Sequence, residues 1–386
     1  MMGNVLHRWL CVSLLLLSCA SSAAGRESSS TPPPSPETAE VMRQIFDEMR
    51  TLLRLSISEG QLSDPANRER VVRSMETLSR NSELLEQHTS RRDEQMRFLA
   101  RSVARDARGV QRAYREQRYE RAAFLLQQVT ENCVVCHTRL PSNIDSAIAR
   151  GFVEQEAFDA LALEPRAKLQ MATRRFDSAL QTLEQLLASP RNPATLLGPL
   201  TDYLVVSVRV KGDYERPIPT LERFSKRPDV WTQLAEEVQA WVAALPGLQA
   251  RAAGPPSLTT ARAILTESQD MLRFPADRRH LAHLVVASAI LQRYVDAHRS
   301  ASARLAEAYY LLAITEARIG RNYWVTQAPF LLETSIRMAP GESFAGSAYA
   351  LLEQELLMSH EGSDYEEIPP EERKLLDELE ALIARD

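Results

Sequence analysis

The chain has 386 residues, of which 44% are hydrophobic and 25% are charged. This length and composition suit two or three soluble domains and exclude a fibrous or disordered chain. The formal net charge of −5 gives no bulk attraction to a phosphate backbone, so nucleic acid is not an expected partner. Glycine is scarce, at 13 residues, and the abundance of Leu, Ala, Glu and Arg predicts an all-α fold.

The first residues have the layout of an export signal. Arg8 lies in a short polar start, an apolar run covers residues 10–17, and small residues follow. The run is too short to span a bilayer as a helix, so we predict a signal peptide over residues 1–24, cleaved after Ala24. The stretch ending at Cys19 also resembles a bacterial lipoprotein box, in which a lipidated Cys19 would attach the protein to a membrane. Either route predicts an exported, periplasmic protein.

A flexible linker and then a helical bundle are predicted next. Residues 25–38 are rich in Ser and Pro, a composition typical of linkers. Within residues 39–140, the periodicity of the apolar residues indicates four amphipathic helices with short loops, which form an up-and-down bundle most economically. The predicted helices cover about 39–58, 64–88, 91–115 and 119–140. Pro141 ends the last of them.

From residue 141 to residue 386, short helix pairs replace the long helices. Residues 175–187, 212–224 and 309–340 carry a loosely repeated signature that resembles tetratricopeptide repeats. We therefore predict an α-helical, TPR-like repeat array, with an unclassified helical domain as the alternative. The apolar run 281–291 is too short to cross a membrane and is predicted to be a buried helix.

Beyond the predicted signal peptide, the only cysteines belong to the motif Cys133-Val134-Val135-Cys136-His137. A c-type haem needs two cysteine sulfurs to add across its vinyl groups and an imidazole that reaches the iron from the same side. Residues i, i+3 and i+4 share one face of a helix, and Cys133, Cys136 and His137 have this spacing. The motif therefore predicts one covalent haem c, with His137 as a ligand of its iron.

Three other roles for the cysteine pair are a thioredoxin-like redox pair, a disulfide and half of a zinc site. A redox pair usually opens a helix in a strand-rich domain, whereas this pair closes a predicted helix of a bundle. A disulfide is awkward within one helical turn. A zinc site needs two further ligands, and the sequence has no second C-x-x-C and no His pair nearby.

A four-helix bundle with C-x-x-C-H late in its fourth helix resembles the cytochrome c-prime class, which includes low-spin relatives with Met as the sixth ligand. The resemblance covers residues 39–140. It implies that a residue of the first helix covers the distal side of the haem; Met49 is the best match, and Met42 is its rival one heptad earlier. An open or Leu-blocked distal side is the alternative. Met75 and Met96 are interpreted as core residues, the usual role of an inward Met.

The remaining histidines of interest are expected at the surface. His88 lies near a helix end among polar residues and is expected to be exposed, although a histidine there could in principle bind iron. His280 and His283 lack further metal ligands in the sequence around them, so helix-surface positions are expected.

Together these features predict an exported monohaem c-type cytochrome for one-electron transfer, whose repeats form a docking scaffold for a redox partner protein. The first alternative is a five-coordinate haem protein that binds or senses a gas. The second is an interaction scaffold whose haem is only structural. No Ser-His-Asp arrangement, phosphate loop or metal-hydrolase motif is present in the sequence, so an enzyme is not expected. The oligomeric state stays open.

Overall fold

The computed structural model describes residues 36–57, 60–89, 94–139, 161–274, 276–298, 300–320, 327–360, 368 and 370–385. This part of the chain contains fifteen α-helices and no β-strand, which confirms the predicted all-α fold class. The predicted signal peptide, most of the predicted linker and the predicted domain boundary at residue 140 lie outside the described residues. Among the described helices, none combines the length and the apolar character that a membrane span requires.

The first four helices form a bundle. They are α1 (Pro36–Ile57), α2 (Arg68–Thr89), α3 (Glu94–Arg115) and α4 (Tyr119–Arg139). These bounds agree with the sequence prediction to within a few residues, and α1 begins at Pro36, inside the predicted linker. Each helix packs against the next along the chain, and α1 also packs against α4, so α2 lies diagonally opposite α4.

Eleven further helices form an array in which most consecutive helices pack against each other. They are α5 (Leu163–Ala172), α6 (Phe176–Ala188), α7 (Leu197–Leu204), α8 (Pro217–Ser225), α9 (Thr232–Ala252), α10 (Leu258–Asp270), α11 (Leu281–Ala297), α12 (Ala303–Ile319), α13 (Ala328–Met338), α14 (Ala345–His360) and α15 (Pro370–Ile383). Helix α7 continues into a π-helical segment, Val205–Val210. The apolar run 281–291 lies in α11 and is buried, as predicted.

The buried apolar side chains form two clusters, one inside the bundle and one along the array. Leu78 and Leu126 belong to the bundle cluster, and Trp241 belongs to the array cluster. Helix α4 contributes to both, because Val134, eight residues after Leu126, belongs to the array cluster. The C-terminal part of α4 is therefore enclosed by two cores, and the predicted haem-binding motif lies in that part.

The expectation of surface positions for His280 and His283 is wrong. His280 is 8% exposed and His283 is 3% exposed. His280 directly precedes α11 and His283 lies in its first turn, so the burial of this apolar helix carries both imidazoles into the array. Burial lowers the pKa of His280 to about 4, and the charge of Arg318 acts in the same direction. Burial also lowers the pKa of His283.

We expect acid to destabilise the protein through His280. The pKa of His280 is near 6.5 in the unfolded chain and about 4 in the folded chain, so between these values the unfolded chain binds more protons. The stability contribution of the neutral imidazole is therefore complete above pH 6.5 and is lost as the pH falls towards 4. His280→Gln should flatten the pH dependence of the free energy of unfolding in this window, measured by urea denaturation.

The matched control is His298→Gln, because the His298 side chain is exposed. This variant keeps His280, so its stability should still fall as the pH falls from 6.5 towards 4. An unchanged slope in His280→Gln would contradict the assignment of the acid sensitivity to this residue.

Candidate functional site

The cysteines and the histidine of the motif share one face of α4, because the helix continues without interruption to Arg139. On this face, the buried Leu126 precedes Cys133 by one heptad, and the buried Val129 precedes Cys136 by one heptad. His137 is one residue further along the same face. The structure therefore brings Cys133, Cys136 and His137 together on one side of α4, as the spacing predicts.

The cysteine pair is half-buried and forms no disulfide. Burial raises the pKa of the Cys133 thiol to about 12, and the neighbouring Cys136 acts in the same direction. Cys133 is therefore a neutral thiol in the folded chain. Reactive redox cysteines instead have a low pKa and an electropositive environment, so this environment does not favour a redox pair.

The His137 imidazole is oriented by a main-chain contact from the array. Its Nδ1 atom lies against the carbonyl oxygen of Ala172, the last residue of α5. A ring nitrogen beside a carbonyl donates its hydrogen, which places the lone pair of the neutral ring on Nε2. Burial lowers the pKa of His137 to about 4, and the charge of Arg174 acts in the same direction. His137 is thus neutral near pH 7.

These residues fit a covalently bound haem. Two thiols on one helical face match the two vinyl groups, and a neutral imidazole with its lone pair on Nε2 is the form that binds iron. The carbonyl of Ala172 supplies the outer hydrogen bond that ligating histidines usually make. Among the described residues, no group of three or more His, Cys, Asp or Glu side chains is placed to hold a metal ion by itself.

Met49 lies in the bundle core, with 3% of its surface exposed. Cys133 instead packs against the array cluster, so the described contacts do not place Met49 and the motif in one cluster. The role of Met49 as an iron ligand stays a prediction. Its rival Met42 is half-buried on the same helix, and Met75, 1% exposed, is a core residue as predicted.

A buried charge cluster attaches this end of α4 to the array. The Lys168 Nζ atom on α5 lies 2.7 Å from Glu131 Oε1 on α4 and 3.0 Å from Asp202 Oδ2 on α7. The Lys168 side chain is 17% exposed and that of Asp202 1% exposed. Burial opposes the charge on Lys168, but the carboxylates of Asp202 and Glu131 outweigh it and raise the pKa of Lys168. One cation thus joins three helices beside the motif.

Arg209, in the π-helical segment, makes a second polar link to α4. Its Nη2 atom donates to Thr138 Oγ1 at 3.2 Å, and Thr138 directly follows the motif. Its Nη1 atom donates to Glu316 Oε1 on α12 at 2.9 Å and to Ser288 Oγ on α11 at 3.2 Å. A π-helical turn of this kind frequently marks a functional site.

Sequence reasoning missed both links. Their partners are 34 to 107 residues apart in sequence, so no local spacing brings them together. The one available signal was the rarity of lysine, since Lys168 is one of four Lys residues in the chain.

We expect Lys168→Met to lower the free energy of unfolding by about 3 kcal/mol. The substitution leaves the carboxylates of Glu131 and Asp202 buried without their cation, and an uncompensated buried charge is costly. Urea denaturation at pH 7 measures the loss.

Lys211→Met is the matched control. Lys211 pairs with Asp177 in a more exposed setting, where the side chains are 33% and 67% exposed, so the loss should stay below about 1 kcal/mol. Equal losses in the two variants would contradict a structural role for the buried cluster.

No protein-family model, no curated protein and no solved structure matches the chain. The resemblance to the cytochrome c-prime class therefore rests on the residues of the motif and on the helical pattern before it. Membership of that class stays a prediction.

Proposed function

We propose that the protein is an exported monohaem c-type cytochrome that transfers single electrons, and that its helical array is the docking scaffold for a redox partner protein. One observation carries the proposal: Cys133, Cys136 and His137 share one face of a continuous helix, and the Ala172 carbonyl orients the imidazole. A disulfide would use two of these side chains; haem attachment uses all three.

Each residue of the motif has a defined task in this proposal. The S–H groups of Cys133 and Cys136 would add across the two vinyl groups, so that each sulfur gains a bond to carbon and the hydrogen goes to the other vinyl carbon. The Nε2 atom of His137 would hold the iron, while its Nδ1–H stays on the Ala172 carbonyl. The haem, when bound, supplies the one-electron couple of its iron.

Enclosure between two cores suits electron transfer. Val134 packs in the array cluster and Leu126 in the bundle cluster, so the helix that carries the iron ligand is held on two sides. A rigid ligand helix lets iron change its oxidation state with little movement of the protein. The thioether bonds would keep the cofactor attached throughout the cycle.

The array adds a partner surface close to the motif. Helix α5 and the π-helical segment contact α4 directly, through Ala172 and Arg209. A protein bound to this part of the array would therefore lie near the haem. Stacked helix pairs form extended concave surfaces that other proteins use for docking.

We expect the double substitution Cys133→Ala and Cys136→Ala to abolish covalent haem. The protein should be produced with its own export signal in a host that has c-type maturation machinery. The measurement is a pyridine haemochrome spectrum after denaturation and removal of free haem. The parent protein should retain one haem per chain, and the double variant should retain none.

Val135→Ala is the control, because Val135 lies between the two cysteines and is only half-buried. It should keep its haem.

A parent protein without covalent haem would contradict the proposal. If haem is attached, carbon monoxide binding to the reduced parent would favour the gas-binding alternative, and a haem-free variant that binds its partner equally well would favour the structural-haem alternative.

A further inference from the structure

Helix α5 ends in a tight turn, directly after the carbonyl group that orients His137. The N–H group of Arg174 donates to the carbonyl of Met171 at 3.0 Å, and that of Arg175 donates to the carbonyl of Gln170 at 2.8 Å. These two bonds define a Schellman turn, in which the residue at the position of Arg174 adopts the left-handed backbone conformation. The φ angle of Arg174 is 60°, as the turn requires.

This turn makes the carbonyl of Ala172 available to the motif. The two bonds of the turn use the carbonyls of Gln170 and Met171, and no main-chain N–H group of the described residues donates to the carbonyl of Ala172. The last carbonyls of a helix need partners from outside the helix. The His137 imidazole is the partner that the structure gives to Ala172.

An arginine is an unusual residue for the left-handed position of such a turn. Glycine normally occupies it, because a side chain there crowds the following carbonyl. Across the described ranges, Gln117 and Arg174 are the only residues other than glycine with a positive φ. A side chain at a position that favours glycine points to a role of the side chain itself.

Gln117 supplies a close structural comparison, because it ends α3 in the same kind of turn. Its N–H group donates to the carbonyl of Tyr114 at 2.9 Å, the N–H group of Arg118 donates to that of Ala113 at 2.9 Å, and its φ angle is 61°. The Gln117 side chain is exposed, and it lies before the start of α4, whereas the motif lies near the end of that helix. The two turns therefore share a backbone but not a neighbourhood.

The positive charge of Arg174 is held beside the motif. Its Cζ atom lies 5.9 Å from the centroid of the Phe176 ring, a cation–π contact, and Phe176 is a buried member of the array cluster. Arg174 is half-buried, so salt screens its charge less than that of an exposed arginine. Burial lowers the pKa of His137, and the charge of Arg174 adds to this effect. A cation that acts on the imidazole also acts on a metal ion bound to that imidazole.

We propose that Arg174 is a positioning residue for the haem iron: its turn presents the Ala172 carbonyl to His137, and its cation favours the ferrous state. This inference rests on the proposed function and adds a control of the reduction potential. The carbonyl of Ala172 makes the imidazole a stronger electron donor, which favours ferric iron. The guanidinium of Arg174 acts in the opposite direction, because a nearby positive charge favours the oxidation state that carries less positive charge.

Reduction potentials of the purified holoprotein and its variants test this role. Arg174→Gly removes the cation, and glycine suits the left-handed backbone, so the turn and the Ala172 carbonyl should stay in place. The potential should therefore shift to a lower value, at low and at high salt. Arg174→Lys keeps a positive charge and should keep a potential close to that of the parent protein.

Gln117→Gly is the matched control, because it makes the corresponding change in the same kind of turn. It should leave the reduction potential at the parent value. Both glycine variants should keep covalent haem and the visible spectrum of the parent protein, which would show that His137 still binds the iron.

Three results would overturn the role of the Arg174 charge and leave the cytochrome proposal intact. They are an unchanged potential in Arg174→Gly, an equal shift in Arg174→Lys or Gln117→Gly, and a loss of haem or of the parent spectrum in Arg174→Gly. The last of these would make Arg174 a purely structural residue. A parent protein without covalent haem would overturn the proposed function itself, and this inference with it.

Discussion

Helix α4 has to fit two hydrophobic cores at once, and the rest of the structure depends on this constraint. Leu126 packs in the bundle cluster, and Val134, about two helical turns later, packs in the array cluster. A one-residue rotation of α4 would withdraw apolar groups from both cores. The helix therefore has one acceptable orientation, and that orientation also decides where the reactive side chains lie.

Buried charges make the same orientation more specific. A buried ion pair adds little net stability compared with an apolar pair. A buried charge whose partner is missing, however, strongly lowers the free energy of unfolding. Lys168 can reach the carboxylates of Glu131 and Asp202 together only when α4, α5 and α7 have their observed arrangement. The Arg209 link to Thr138 imposes a similar condition from the π-helical segment. Electrostatics thus selects among packings that the hydrophobic effect alone would tolerate.

The sequence predicted what depends on local patterns. Helix bounds followed from apolar periodicity and from signals such as Asp64, whose side chain accepts a hydrogen bond from Ala66 as a cap. The motif was predicted because its three side chains lie within one helical turn and a half. The burial of His280 and the contacts of Lys168 were not, since both depend on helices far away in sequence. A single histidine or lysine carries no local sign of such partners.

The sharing of α4 also limits how far the two halves of the chain can change independently. A modular fusion would let the partner-binding half diversify while the cofactor-binding half stays constant. Here the Ala172 carbonyl, on the array side, holds the imidazole of the motif, and Val134 lies among array residues. Any substitution that shifts α5 therefore alters the surroundings of His137. If the protein is the proposed cytochrome, changes in partner preference and changes in cofactor environment are mechanically linked, and we expect them to covary in its relatives.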